Sequence, residues 1–417
     1  MGSLEMESES DFNNKEAKSE MGMDEDKRKS SLGIKKKRRF KNLSFLFPCM
    51  RLEDEVPTEE RPNGGGGFDV EAAGIDHRPT HLVVMVNGII GSAANWKFPA
   101  KQFVKTYPRD VIVHCSKSNS VTLTFDGIDV TGTRLADEVI SVKQRYPDLK
   151  RISFIGHSLG GLISRYAIAK LYSQGCAEKP NGDSAIINGS NSDSCSQDLP
   201  KGNIAGLEPM NFITIATPHL GSRGHKQVPA FCGLYPMEKF ASRASWMLGR
   251  TGRHLFLKAN DKGKPPLLVQ MASDSEDLPF ISALEAFKRR VAYANIHFDH
   301  VVGWSTSSIR SRSELPPKGK NLKRVEKYPH IVNLEPANMT STSQRNGSVG
   351  TSKANKYTYL EETMLKGLTK MSWDRVDVSF RGSKQRFFAH NTIQVQLYCI
   401  NSDGADVIQH IIDNFVL

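Results

Sequence analysis

The pentapeptide Gly156-His157-Ser158-Leu159-Gly160 most limits what this chain can fold into. It is entered directly from the apolar run Ile152 to Ile155. It is left through Leu159, Leu162, Ile163, Tyr166 and Ile168 to Leu171, whose spacing puts apolar residues on one helical face. A G-x-S-x-G between a strand and a helix is a sharp turn that lifts the serine oxygen clear of a sheet and sets it at the helix N-terminus. Glycines two residues either side of Ser158 remove side chains that would collide there, and Gly161 lets the helix pack close. Without that context the same five residues would be only a glycine-rich turn.

The rest of the chain supplies a sheet for such a turn. His81 to Val86 is a β-branched apolar run ending at Asn87-Gly88, as a buried parallel strand should. Val111 to Val113, Phe212 to Ile215 and Val291 to Ile296 read as further buried strands. Between strands, Leu135, Val139 and Val142 have the three-and-four spacing of an amphipathic helix. Strands alternating with helices predict an α/β fold with a mostly parallel sheet.

Residues 1 to 78 mix charge runs, serines and Gly64 to Gly67, a composition that cannot bury enough surface to offset its ordering entropy, so a disordered tail is expected there. The folded domain is expected over 79–417, with low-complexity surface insertions at about 174–202 and 311–356. The stretch from about 224 to 289 differs in carrying Phe231, Tyr235, Phe240, Trp246 and Leu255 to Leu257, and reads as a foldable cap.

A formal charge of +11 in 417 residues raises nucleic acid, an anionic membrane surface or basic tails as its cause. The excess lies largely in Lys27 to Lys41 and Arg310 to Lys327, which lack apolar periodicity, so no nucleic-acid role is expected. Lys35 to Lys41 running into Leu43, Phe45, Leu46 and Phe47 could serve as an import signal or a peripheral anchor to anionic lipid, against the plain alternative of a solvated charge run. The six cysteines show neither C-x-x-C spacing nor a zinc pattern, so no metal is expected. The acidic start, the lack of a long apolar run and the absence of a myristoylation pattern lead to an expectation of reduced thiols and a cytoplasmic location.

Serine is a poor nucleophile at neutral pH and needs a histidine base oriented by a carboxylate, which follow this elbow in the order acid, then histidine. Asp299 lies just after the strand Val291 to Ile296 and is the favoured acid; Asp274 and Asp277 follow only a short apolar segment. His390, on a loop after Arg386 to Ala389, is the favoured base. His410 lies among Val407, Ile408, Ile411 and Ile412 and suits packing, while His300 adjoins Asp299 too closely to pair with it. An oxyanion would take backbone N–H groups from Leu159 and from Ile89, the latter in the loop Asn87-Gly88-Ile89.

Taken together, His81 to Trp96, Phe154 to Leu162, Ile213-Thr-Ile-Ala-Thr-Pro-His-Leu-Gly221, Tyr293 to Asp299 and Phe388-Ala-His390 resemble the putative serine esterase (lipase-like) family, in the form of a plant-like member. The resemblance runs over roughly 80–417 without the insertions. It implies an α/β-hydrolase fold, lipase or carboxylesterase chemistry, a triad of Ser158, Asp299 and His390, and no cofactor. One departure is Asn87-Gly88, where many lipases of this fold have His-Gly. His219 of the Thr-Pro-His motif is expected to shape the pocket wall.

The expected substrate is an acyl ester, with a lipid favoured by the apolar, basic cap stretch. A thioesterase or transacylase would use the same three residues and differ in substrate or acceptor. A catalytically silent binding protein on the same fold would have no need of all three.

Overall fold

The computed structural model describes residues 58–62, 67–72, 78–173, 202–222, 248–259, 263–316, 325–337 and 356–417. One sheet dominates it. Its strands are β1 (Thr58–Pro62), β2 (Gly67–Ala72), β3 (His81–Val86), β4 (Val111–Ser116) and β5 (Arg151–His157), followed, after a separate two-stranded ribbon of β6 (Tyr172–Ser173) and β7 (Asn203–Ile204), by β8 (Glu208–Ile215), β9 (Arg289–Asn295), β10 (Ile331–Glu335) and β11 (Asp374–Val378). The spatial order is β1-β2-β4-β3-β5-β8-β9-β11-β10. From β4 to β11 every neighbouring pair is parallel, while β1, β2 and β10 add antiparallel at the two sides. This is the strand arrangement of an α/β-hydrolase.

Alternation along the strands explains the layers. Leu82, Val84 and Val86 point to one face, and Val83 and Met85 to the other, all with at most 1% exposure. The first face is covered by α2 (Ile128–Arg145) and α3 (Leu159–Leu171), through residues such as Leu135, Val139, Leu162 and Ile168. The second is covered by α1 (Lys97–Thr106), through Phe103 and Val104, and by the C-terminal helix Ala405–Asp413, through Val407, Ile408 and Ile411. Each such fully buried side chain is worth about 1.5–3 kcal/mol of transfer free energy, which is what holds two helical layers on one sheet.

The chain leaves β3 for β4 on one side and returns to β5 on the other, so its winding reverses at β3. Loops at the C-terminal ends of β3 and β5 therefore diverge and open a crevice, the usual ligand position in such a sheet. Asn87 to Ile89 and Ser158 leave those two ends.

Four expectations need correction. The stretch read as a tail contains β1 and β2; β2 is held on β4 with Val70 and Ala72 buried, and its Asp69 is satisfied by ion pairs. The second insertion contains β10, which pairs with β11 across a register shift between Ile331 and Asn333. The cap stretch is not one unit: helix Phe280–Glu285 buries Phe280 and Leu284 in the same core as α3, so that part belongs to the body. Finally, Arg386 to Phe388 is a 3-10 turn with Phe387 and Phe388 exposed, and His390 sits on the short helix Ala389–Thr392. The remaining parts of these expectations, residues 1–57, 63–66, 73–77, 174–201, 223–247, 260–262, 317–324 and 338–355, lie outside the described residues. Among the described residues no helix is long and apolar enough to cross a membrane.

Candidate active site

Ser158 is the last residue before α3 and adopts φ 53° and ψ −125°, a conformation that costs a residue with a β-carbon of order 1–3 kcal/mol. The turn is fixed from both sides. The Ser158 amide donates to the carbonyl of Ile215 at the end of β8 (2.8 Å). Gly160 lies so close to β3 that a β-carbon there would be 2.1 Å from the Val86 carbonyl oxygen, and one on Gly88 would be 2.8 Å from Ser158 Cβ. These contacts, rather than backbone freedom, are why the elbow and the facing loop carry glycine.

Asp299 follows β9 and is buried. Its Oδ2 accepts from His390 Nδ1 (3.1 Å) and from Asn295 Nδ2 (2.9 Å), and its Oδ1 accepts from the amides of Val301 (3.0 Å) and Val302 (2.8 Å). Burial works to raise its pKa, but the His390 ring and the Asn295 and Val302 donors outweigh that and hold the carboxyl below its ordinary value. An ionised, fully hydrogen-bonded carboxylate facing Nδ1 leaves Nε2 of His390 as the basic nitrogen.

Two further residues hold this pair, and sequence reasoning gave neither that role. Asn295, the last residue of β9, also donates to the carbonyl of Ala389, so it ties Asp299 to the helix bearing His390 (3.2 Å). His157 donates from Nε2 to the carbonyl of His390 (2.7 Å), and its ring lies 4.7 Å from that of His390. Burial, then the nearby His390 charge, lowers its pKa to about 3, so it is a neutral donor. The only sequence signal for either was position: a polar residue at the C-terminal end of a buried parallel strand.

The structure thus brings Asp299, His390 and His157 together beside the Ser158 turn. The Ser158 hydroxyl itself makes no hydrogen bond among the described residues, so the serine-to-histidine bond is the one link not formed. Apo sites commonly leave that bond long. Ile89, Ser158 and Leu159 line one pocket with Pro218, Ser222, Leu255, Val301 and Val302; its volume is only about 10 Å³. The amide of Ile90 is occupied by Thr124 Oγ1 (3.0 Å), whereas those of Ile89 and Leu159 have no partner among the described residues. Asn87 anchors the loop by donating to the carbonyls of Gly88 (3.1 Å) and Asn119 (2.9 Å).

The remaining candidates fall into structural roles. Asp274 caps helix Phe280–Glu285 by accepting from the amides of Ile281 (2.7 Å) and Ser282 (3.1 Å). His410 meets the Tyr293 hydroxyl (2.8 Å) within the core. His219 does not line the pocket as expected. It is buried beneath it, bonded to Thr214 Oγ1 (3.0 Å) and edge-on to Trp373, and its neighbour Pro218 forms the wall.

Comparison with known proteins places this geometry in context. Residues 76–309 match the model of a family described as Putative serine esterase (DUF676). The chain is 30% identical to Putative lipase ROG1 of Saccharomyces cerevisiae over 55% of its own length and 28% of that protein. It is 27% identical to Putative lipase YDR444W of the same yeast, over 65% of its own length and 39% of that protein. The chain therefore spans only about a third of the length of these relatives. Among solved structures, an alpha/beta hydrolase superfamily protein from Enterococcus faecalis aligns with 62% of this chain and 85% of its own at 13% identity and a TM-score of 0.36.

Proposed function

This chain belongs to the putative serine esterase family, and from that premise we propose that it hydrolyses carboxylic esters through an acyl-enzyme on Ser158. The observation that carries the reading is the buried Asp299–His390 hydrogen bond beside a serine on a strained strand-to-helix turn. His390 takes the Ser158 proton as Oγ attacks the ester carbonyl carbon, while the Leu159 and Ile89 amides receive the oxyanion. The bond to the alcohol then breaks, and His390 returns the proton to the departing oxygen. Water, deprotonated by His390, then attacks the acyl carbon, the bond to Ser158 Oγ breaks, and His390 returns the proton to Oγ as the acid leaves.

The pocket walls supply Ile89, Leu159, Pro218, Leu255, Val301 and Val302, which favours an apolar acyl group and hence a lipid ester. Because that pocket is nearly filled, the acyl chain enters only after some wall moves; the cap expected over about 224–289, apart from helix Phe280–Glu285, is the proposed moving part, and removing Phe231 to Leu257 should abolish activity toward insoluble esters. Peripheral contact with an anionic membrane is part of the same proposal.

The direct test is covalent labelling of the full chain by a fluorophosphonate probe. Wild type should label, Ser158→Ala should not, and His390→Ala should label at a rate lower by at least about 10²-fold. A well-folded wild type that stays unlabelled would leave a silent binding protein as the better account.

A further inference from the structure

One exposed apolar side chain on a protein surface is ordinary, but several gathered in one place mark a contact surface. Among the described residues eleven large apolar side chains are exposed, and seven of them stand on loops that leave the C-terminal ends of β3, β4 and β11. Ser158 and Asp299 leave the C-terminal ends of β5 and β9, so these loops and the candidate active site share one edge of the parallel sheet. The β3 loop contributes Ile90, and the β4 loop contributes Val121 and Leu123. Ile90 and Val121 have φ of 57° and 53°, a region that suits glycine or asparagine and strains a β-branched residue. Both nevertheless hold their side chains out in solvent.

The β11 loop carries the other four. Phe387 and Phe388 stand on the turn Arg386–Phe388, while Leu397 and Ile400 belong to the start and body of helix Tyr398–Asn401, each more than half exposed. Gln385 holds the two pieces together by donating to Ser402 Oγ (3.0 Å) and accepting the Asp403 amide (3.0 Å). The three loops are also joined: the Val121 amide donates to the Gly91 carbonyl (3.0 Å), and Tyr398 stacks on Phe98 just after the β3 loop (4.8 Å). Phe387 packs edge-on against Phe298 (5.8 Å), the residue before Asp299, with the Arg386 guanidinium over both rings. Cations outnumber carboxylates here, since residues 87–96, 117–127 and 379–404 hold Lys117, Arg381, Lys384 and Arg386 against Asp126 and Asp403. Asp126 is paired with Arg134 (2.6 Å), and Asp403 accepts from the Ser383 hydroxyl. Arg381 and Lys384 are exposed.

We propose that this edge docks on an anionic lipid surface, with Phe387, Phe388, Leu397 and Ile400 entering the interface and Arg381 and Lys384 meeting lipid phosphates. The proposal rests on the reading of Ser158 as a nucleophile toward lipid esters, and it names the surface that this site faces. Anionic lipid matches both parts of the composition, because buried apolar area and attraction of basic side chains to negative headgroups add together in such binding. A second copy of the chain placed on the same edge would set cation against cation. Docking in this orientation puts the Ser158 end of the sheet against the lipid, so an ester passes from the surface to the pocket without crossing water.

Vesicle flotation of the full chain carrying Ser158→Ala, which leaves the lipid intact, tests the surface without turnover. The vesicles are phosphatidylcholine alone and phosphatidylcholine with about one third phosphatidylserine, and the chain should bind the second about tenfold tighter. Phe388→Ser/Ile400→Ser should weaken binding to both by at least about tenfold. Arg381→Gln/Lys384→Gln should weaken binding to the anionic vesicles by about tenfold and leave neutral binding within about twofold. Because that charge pair lies in solvent, it carries the test should the apolar pair fail to fold. A parent that binds neither vesicle would overturn the proposal, as would loop variants that bind like the parent while Lys36→Gln/Lys37→Gln loses the binding. Self-association in sedimentation velocity without lipid, lost in Phe388→Ser/Ile400→Ser, would assign the edge to a second copy instead. Fluorophosphonate labelling of chains that keep Ser158 reports separately on the nucleophile, so either reading can fail alone.

Discussion

Asp299 accepts four hydrogen bonds in a buried setting, and only one of them comes from His390. That arrangement separates its orienting role from its structural one. Asp299→Asn keeps an oxygen for Val301 and Val302 but presents an amide nitrogen to His390, which then favours the wrong imidazole tautomer. Ester turnover should fall about 10³–10⁴-fold in kcat with little change in KM. Steady-state kinetics on a soluble nitrophenyl ester checks this, and a kcat within threefold of wild type would place the acid elsewhere. Ser158, Asp299 and His390 were each legible as candidates because their order and flanking runs are local signals. Asn295 and His157 were not, because what they do depends on carbonyls contributed more than ninety residues away in the chain, those of Ala389 and His390.

At the level of elements, the strands that could be read were those buried on both faces as unbroken apolar runs, β3, β4, β5, β8 and β9. Two of those missed, β2 and β11, carry charges that are paired inside. In β11, Asp377 accepts from Arg310 and Trp304 and Arg375 meets Glu335, so Asp-Arg-Val-Asp-Val shows no unbroken apolar run in the sequence. β2 is the same case: Asp69 meets His114 of β4, which in turn meets Glu138 of α2 (2.6 and 3.1 Å). Burial works against charging His114, but its two carboxylate partners outweigh that and raise its pKa to about 9. A group whose folded pKa lies above its ordinary 6.5 adds stability that is complete below pH 6.5, declines as the pH rises, and is gone above about 9. Urea unfolding should therefore show a stability falling by on the order of 3 kcal/mol between those limits. A flat profile from pH 6.5 to 9 would show that the imidazole is neutral.

The whole molecule is larger than the segment that identifies its family. The matched span, 76–309, includes Ser158 and Asp299 but stops before β11 and His390, so the proposed base and the strand leading to it lie beyond the residues that the family model covers. The sheet is likewise closed beyond that span, by β1 at one side and β10 at the other. β1 reads Thr-Glu-Glu-Arg-Pro, mixing charges with a residue that has no amide hydrogen, and β10 is short and interrupted by its register shift. Residues and irregularities of this kind discourage another strand from joining an edge. The consequence concerns storage and crowding more than catalysis: neither margin offers a template for cross-β growth, so concentrated protein should stay negative to thioflavin T. Glu59→Val/Glu60→Val/Pro62→Val, which strips one margin of its carboxylates and its proline, should acquire that fluorescence with a concentration-dependent lag.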